Sequence, residues 1–97
     1  MARELRGIRV IEVGGAVAVP IVGMLMGSWG AEVIHVEPPG KGDNWRHVLG
    51  QGMSGWDRPN PVNYYWEHAD RNKNSLALNL GSPEGQAVLH KLAASAA

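Results

Sequence analysis

The chain has no cysteine. That excludes a disulfide framework, a thiolate nucleophile and any cysteine-based zinc site. It also has no surplus of charge: nine basic residues balance nine acidic ones. A nucleic-acid binder normally carries a basic excess on one face, so that class is disfavoured, although a local basic patch for a phosphate is not. The N-terminus, M-A-R-E-L-R-G, has no apolar core and no cleavage site, which argues against a secretory leader. A cytoplasmic protein is expected. One long uncharged stretch, between Glu12 and Glu32, imitates a membrane span. Gly14, Gly15 and Pro20 break it into strand, turn and helix, so no span is expected.

What remains is an ordinary globular composition in 97 residues, enough for one domain at most. Ile8, Val10, Ile11 and Val13 form a nearly continuous apolar run, as in a parallel strand covered on both faces. Gly14-Gly15 ends it. A helix is expected to begin with Pro20 in its first turn and to run to about Trp29, stopped by Gly30. Gly23 and Gly27 cost this helix roughly 1 kcal/mol each relative to alanine, so close packing is expected to compensate. Val33, Ile34 and Val36 make a second strand, halted by Pro38-Pro39-Gly40.

From Gly40 to about Asn74 there is no clear period. The stretch holds Trp45, Trp56 and Trp66 and both tyrosines, and a loop of this length within a compact domain is expected to be functional or ordered by further chain. A short helix around Val62–Ala69 fits, with Pro61 in its first turn. Ser75 to Leu80 alternates as a third strand, with Leu76, Leu78 and Leu80 on one face. Ser82-Pro83-Glu84 is a strong helix start. The helix that follows is expected to bury Val88, Leu89 and Leu92. The pattern β-α-β-loop-β-α predicts an α/β fold of Rossmann-like parallel units. Two main helices cannot cover both faces of such a sheet, so the chain reads as an incomplete domain spanning residues 1–97, the N-terminal piece of something larger.

A strand, a glycine turn, a helix and a second strand present backbone amides to an anionic ligand. Glu37 sits about where a ribose-binding acid would, but Gly14-Gly15 is followed by Ala16, Val17, Ala18 and Val19, so the third glycine of a dinucleotide fingerprint is missing. No two of His35, His47, His68 and His90 stand at ligand spacing on one helix, and no metal site is expected. His35 lies in a strand and reads as a satisfied structural residue. No serine sits in a nucleophile elbow. Arg46, Arg71 and Lys73 stand at loop–strand junctions, where they could face a phosphate or buttress a loop.

These segments taken in order, L-x-G-I-R-V-I-E-V, the turn ending in Pro20, G-A-E-V-I-H-V-E-P-P-G-x-G-D, R-N-K-x-S-L-x-L-N-L and S-P-E-G-Q, resemble the class III CoA-transferases. This is the CaiB/BaiF type, with formyl-CoA transferase, benzylsuccinate CoA-transferase and α-methylacyl-CoA racemase among its members. The resemblance covers essentially the whole chain. It implies the N-terminal part of the large domain of an interlocked homodimer, with acyl-CoA and a carboxylic acid as partners and coenzyme A as the group moved. Its chemistry is covalent catalysis by an aspartate. That aspartate lies beyond residue 97 in the family, so no catalytic residue is assigned here.

The resemblance implies a CoA contact set instead. The turn Gly15-Ala16-Val17-Ala18 matches the one that lies against pantetheine and pyrophosphate. Val19 replaces a common glycine, and Val17 stands where some members have glutamine. Pro38 falls where some carry an adenine-stacking arginine. Leu78 and Gly81 match positions flanking the adenine, and Arg46 and Lys73 match common family residues. N-Y-Y-W-E looks most like members acting on larger organic acids, such as aryl-succinates. A racemase of the same fold and a non-catalytic nucleotide-binding module are the alternatives.

Overall fold

The computed structural model describes residues 3–15, 17–47 and 64–96. The elements are β1 (Arg9–Val13), α1 (Ala18–Ser28), β2 (Glu32–Glu37), a 3-10 turn (Asn44–His47), α2 (Tyr64–Ala69), β3 (Lys73–Ala77) and α3 (Pro83–Ser95). The strands form one parallel sheet in the order β1-β2-β3. The α/β expectation is met. Register then decides what each face carries. Glu12 stands beside His35, His35 beside Ser75, and Val33 beside Lys73. Side chains alternate along a strand, so one face presents Val10, Glu12, Val33, His35, Glu37, Lys73 and Ser75. The opposite face presents Ile11, Val13, Ile34, Val36 and Leu76.

Helix α1 packs on the first face. Gly23 lies over Glu12, and Gly27 lies over Val33. Helix α3 follows β3 yet packs against β1, where Arg9 donates to the Ser95 hydroxyl at 3.0 Å. The chain thus crosses back over the second face. Its start is the expected one: the Ser82 hydroxyl accepts the Gly85 amide, with Pro83 in the first turn.

Helix α1 begins at Ala18, which places Pro20 in its first turn as expected, with Val17 as an N-cap that makes no side-chain bond. Other boundaries differ from expectation. Strand β3 begins at Lys73 rather than Ser75 and ends at Ala77. Its first residue is drawn under α1 by buried acids. Leu78 keeps one ladder bond, donating its amide to the Glu37 carbonyl at 2.9 Å, and Leu80 falls outside the strand. Val88 is exposed, because α3 meets the sheet along the stripe of Gly85, Leu89 and Leu92. Pro61, Val62 and most of the tryptophan-rich stretch lie outside the described residues.

Among the described residues the buried apolar core is small: Met24, Ala31, Val33, Val36 and Ala69. Val13, Val19, Val22, Leu25 and Trp29 are exposed. Among the described residues, no helix is long and apolar enough to cross a membrane.

Candidate functional site

Three parallel strands end at one edge, and the segments that leave them there enclose a cleft of about 430 Å³. Gly14 and Gly15 follow β1. Pro38, Pro39, Asp43 and Asn44 follow β2. Leu78, Asn79, Leu80 and Gly81 follow β3. In open α/β sheets, ligands bind beyond the carboxyl ends of the strands in this way. Four of the residues singled out from the sequence, Gly15, Pro38, Leu78 and Gly81, meet here although they lie on three separate segments. Val17 is exposed at the start of α1. Ala18 lines a second, apolar groove of about 370 Å³ between α1 and β1, with Val10, Val13, Val19 and Val22. Ala16 lies outside the described residues.

Arg46 and Lys73 do not line the cleft; both are held in ion pairs beneath or beside it. The Lys73 ammonium donates to Glu12 Oε1 at 2.9 Å, the Pro20 carbonyl at 2.9 Å and Asp70 Oδ1 at 2.8 Å. An ammonium has three protons, and all three are used. Its side chain is only 2% exposed, so the ligand-facing role considered for Lys73 is corrected to a structural one. Ligand-type atoms of Glu12, His35 and Asp70 lie within 4.8 Å of one another. That grouping is an ion-pair cluster, since Lys73 already supplies its cation.

His35 is the centre of the polar layer. Its Nδ1 meets Glu12 Oε1 at 2.5 Å and its Nε2 meets Asp43 Oδ2 at 2.9 Å. The Trp66 ring stands edge-on to it, with centroids 5.9 Å apart. Burial alone would push the imidazole down, but the bonds to Glu12 and Asp43 outweigh it and hold the pKa above the ordinary value. The reading of His35 as a satisfied structural residue holds, and its partners are now named.

Glu37, the residue at the ribose-acid position, is a loop anchor. Its Oε1 accepts Arg46 Nε at 2.6 Å and the Asp43 amide at 2.8 Å; its Oε2 accepts Arg46 Nη2 at 2.8 Å and the Ser75 hydroxyl. Arg46 also lies over the Trp66 ring, 4.1 Å from its centroid. Gly42 makes the turn possible: its φ is +75°, and a Cβ there would lie 2.8 Å from Glu37 Oε1. Arg46 thus buttresses the loop.

The Arg46 bond lowers the Glu37 pKa from 4.5 to about 2, helped by Ser75 and the Asp43 amide against the cost of burial. A depressed folded-state pKa contributes stability above the unfolded value and loses it as pH falls. The loop is therefore expected to hold above pH 4.5 and to release as pH falls towards 2. Arg46→Gln should move that release to higher pH. An NMR titration of the Glu37 carboxyl reads it directly; an ordinary carboxylate titration in the unaltered protein would contradict the anchor.

Sequence reasoning missed Glu12 and Asp70. The signal was present: Glu12 is an acid at an inward position of an apolar strand, and Asp70 stands three residues before Lys73.

The fold is shared with proteins of known structure. The sequence model for CoA-transferase family III matches residues 5–97. A succinyl-CoA–D-citramalate CoA-transferase of Chloroflexus aurantiacus is 42% identical over 93 residues, covering 93% of this chain and 21% of its own. A crystal structure of a Mycobacterium tuberculosis protein superposes with a TM-score of 0.83 at 34% identity, over 98% of this chain and 25% of that one. A CaiB/BaiF family protein of Brucella suis gives a TM-score of 0.80 at 28% identity, over 99% and 25%. The chain spans about a fifth of the length of the curated relatives it matches. With the family match running over nearly all of it and the same α/β fold in its structural neighbours, the chain belongs to CoA-transferase family III.

Proposed function

We propose that this chain forms the CoA-binding wall of a protein that moves CoA from an acyl-CoA to a free carboxylic acid. The observation that carries the reading is the cleft at the carboxyl edge of the sheet. It gathers Gly15, Pro38, Leu78 and Gly81 from three separate segments, and these are positions that the family resemblance gives to CoA. Glycine turns let a backbone approach a pyrophosphate closely. Val13, Leu78 and Leu80 offer apolar surface to a pantetheine arm or a base, and Asn44 and Asn79 offer polar groups.

The reacting group is an aspartate outside residues 1–97. Its carboxylate attacks the thioester carbonyl, the C–S bond breaks, and CoA leaves as a thiolate with a mixed anhydride behind it. The thiolate then attacks the aspartyl carbonyl, freeing the first acid and leaving an aspartyl thioester. The acceptor carboxylate reverses these steps in its own favour. Among the described residues, two acids lie at this chain's cleft, Glu37 and Asp43. Both oxygens of each are already bonded, which supports placing the nucleophile elsewhere. The exposed Val13, Val19 and Val22 along the outer side of β1 support reading residues 1–97 as part of a larger domain, in a homodimer.

The test treats the protein that carries this chain with acyl-CoA and then hydroxylamine. An aspartyl thioester is cleaved to a hydroxamate, so activity should fall only when both reagents are present. Full retention of activity would sink the mechanism. Exchange of the substrate α-proton with no acceptor acid present would mark a racemase instead.

A further inference from the structure

Asp43 is a buried acid in the loop after β2. Its carboxylate fills the space that a side chain on Gly15 would take: a Cβ there would lie 3.3 Å from both Asp43 oxygens. Its backbone is tied to Glu37 through its amide, and its Oδ1 accepts the Trp45 amide at 2.8 Å. Asp43 therefore belongs to the loop after β2 and stands facing the turn after β1, two walls of the cleft. His35 holds its remaining oxygen from below.

The chemistry of that hold is restrictive. Glu12 and Asp43 as carboxylates only accept hydrogen bonds, so both ring nitrogens of His35 must donate. A neutral imidazole has one N–H and can satisfy only one of them. The surroundings favour the second proton. Glu12 from β1, Asp43 from the loop and Asp70 from the end of α2 face the ring with negative charge. Lys73 from β3 supplies one positive charge, and the Arg46 guanidinium beside them is committed to Glu37.

We propose that His35 is a positioning residue for the cleft: its doubly protonated ring locks Asp43 between the two walls and so sets the width of the site. The choice of ligand rests on the CoA reading above; the lock itself does not. A raised folded-state pKa means that the lock persists to higher pH than an ordinary imidazole would allow and is lost as pH rises through that pKa. Ligand affinity then falls on the alkaline side.

Two readouts separate the lock from the ligand. In the ligand-free protein near neutral pH, nitrogen-15 NMR should find both His35 ring nitrogens protonated, and one should lose its proton on the alkaline side. In His35→Gln, the Asp43 and Trp45 amides should exchange about tenfold faster. CoA should bind about tenfold more weakly, with a flattened pH profile. Asp43→Asn is the milder variant should His35→Gln not fold. It keeps an acceptor without the charge, so the alkaline loss of affinity should move to lower pH. A His35 ring with one proton throughout the neutral range would overturn the proposal. So would a folded His35→Gln protein with unaltered amide exchange and unaltered CoA affinity. If the amides respond but CoA binds neither form, the lock stands and the CoA reading fails.

Discussion

Lys73→Met is expected to destabilise the fold by about 3–5 kcal/mol. The ammonium is nearly inaccessible to water and bridges Glu12 and Asp70, which are 2% and 3% exposed. Methionine matches its length and loses only the charge and three hydrogen bonds. What it leaves is two buried carboxylates that have lost the ammonium between them, with only the His35 ring still on Glu12, and the cost of that is far larger than the net value of a surface pair. The Pro20 carbonyl loses its side-chain donor as well. Adding Glu12→Gln to Lys73→Met should recover part of the loss, because one of the stranded charges goes with it. Urea unfolding of the two variants measures both effects. An unfolding free energy for Lys73→Met within about 0.5 kcal/mol of the unaltered protein would place Lys73 in solvent and contradict its burial.

Gly23→Ala is the second large effect, and its sign opposes helix propensity. In an open helix the change would gain about 1 kcal/mol. Here the new Cβ would lie 1.7 Å from Glu12 Oε2 and 3.3 Å from Lys73 Cε. Glu12 cannot swing away, since its other oxygen holds both His35 and Lys73. Either α1 lifts from the sheet or the buried cluster breaks, for an expected loss of about 3 kcal/mol. Gly27→Ala is the internal control. Its Cβ would meet Val33 at 3.5 Å, an ordinary contact, so that variant should be neutral or slightly stabilised. Thermal unfolding of the pair decides: if Gly23→Ala matches Gly27→Ala, the close approach of α1 to Glu12 is not there.

This pair also shows what could be read from the residues alone. Two glycines four apart in a helix announced a close approach, but not which of them made it or to what. Local features were legible because their causes are local. Ser82 and Pro83 start α3, Gly30 stops α1 with a φ of +101°, and the E-P-P-G-K-G-D run folds back on its own first residue. The polar layer was not legible, because Glu12 and Lys73 are 61 residues apart and meet only through the registers of three strands. His35 could be expected to be satisfied, yet its partners depend on the same registers. Lys73 looked like a cation awaiting a phosphate because its buried acids come from elsewhere in the chain. The cleft was partly legible: the family resemblance nominated Gly15, Pro38, Leu78 and Gly81, and parallel strands bring such loop positions to one edge.

CoA is expected to bind at this edge of the sheet. An amide-resolved NMR titration of the protein with CoA, run beside one with NAD, tests it most directly. Saturable shifts are expected at Gly14, Gly15, Glu37 and Leu78 through Gly81, with Val22 in the groove between α1 and β1 and Trp29 at the end of α1 unmoved, and no such response to NAD. Shifts confined to that groove, or no response to CoA at all, would contradict it.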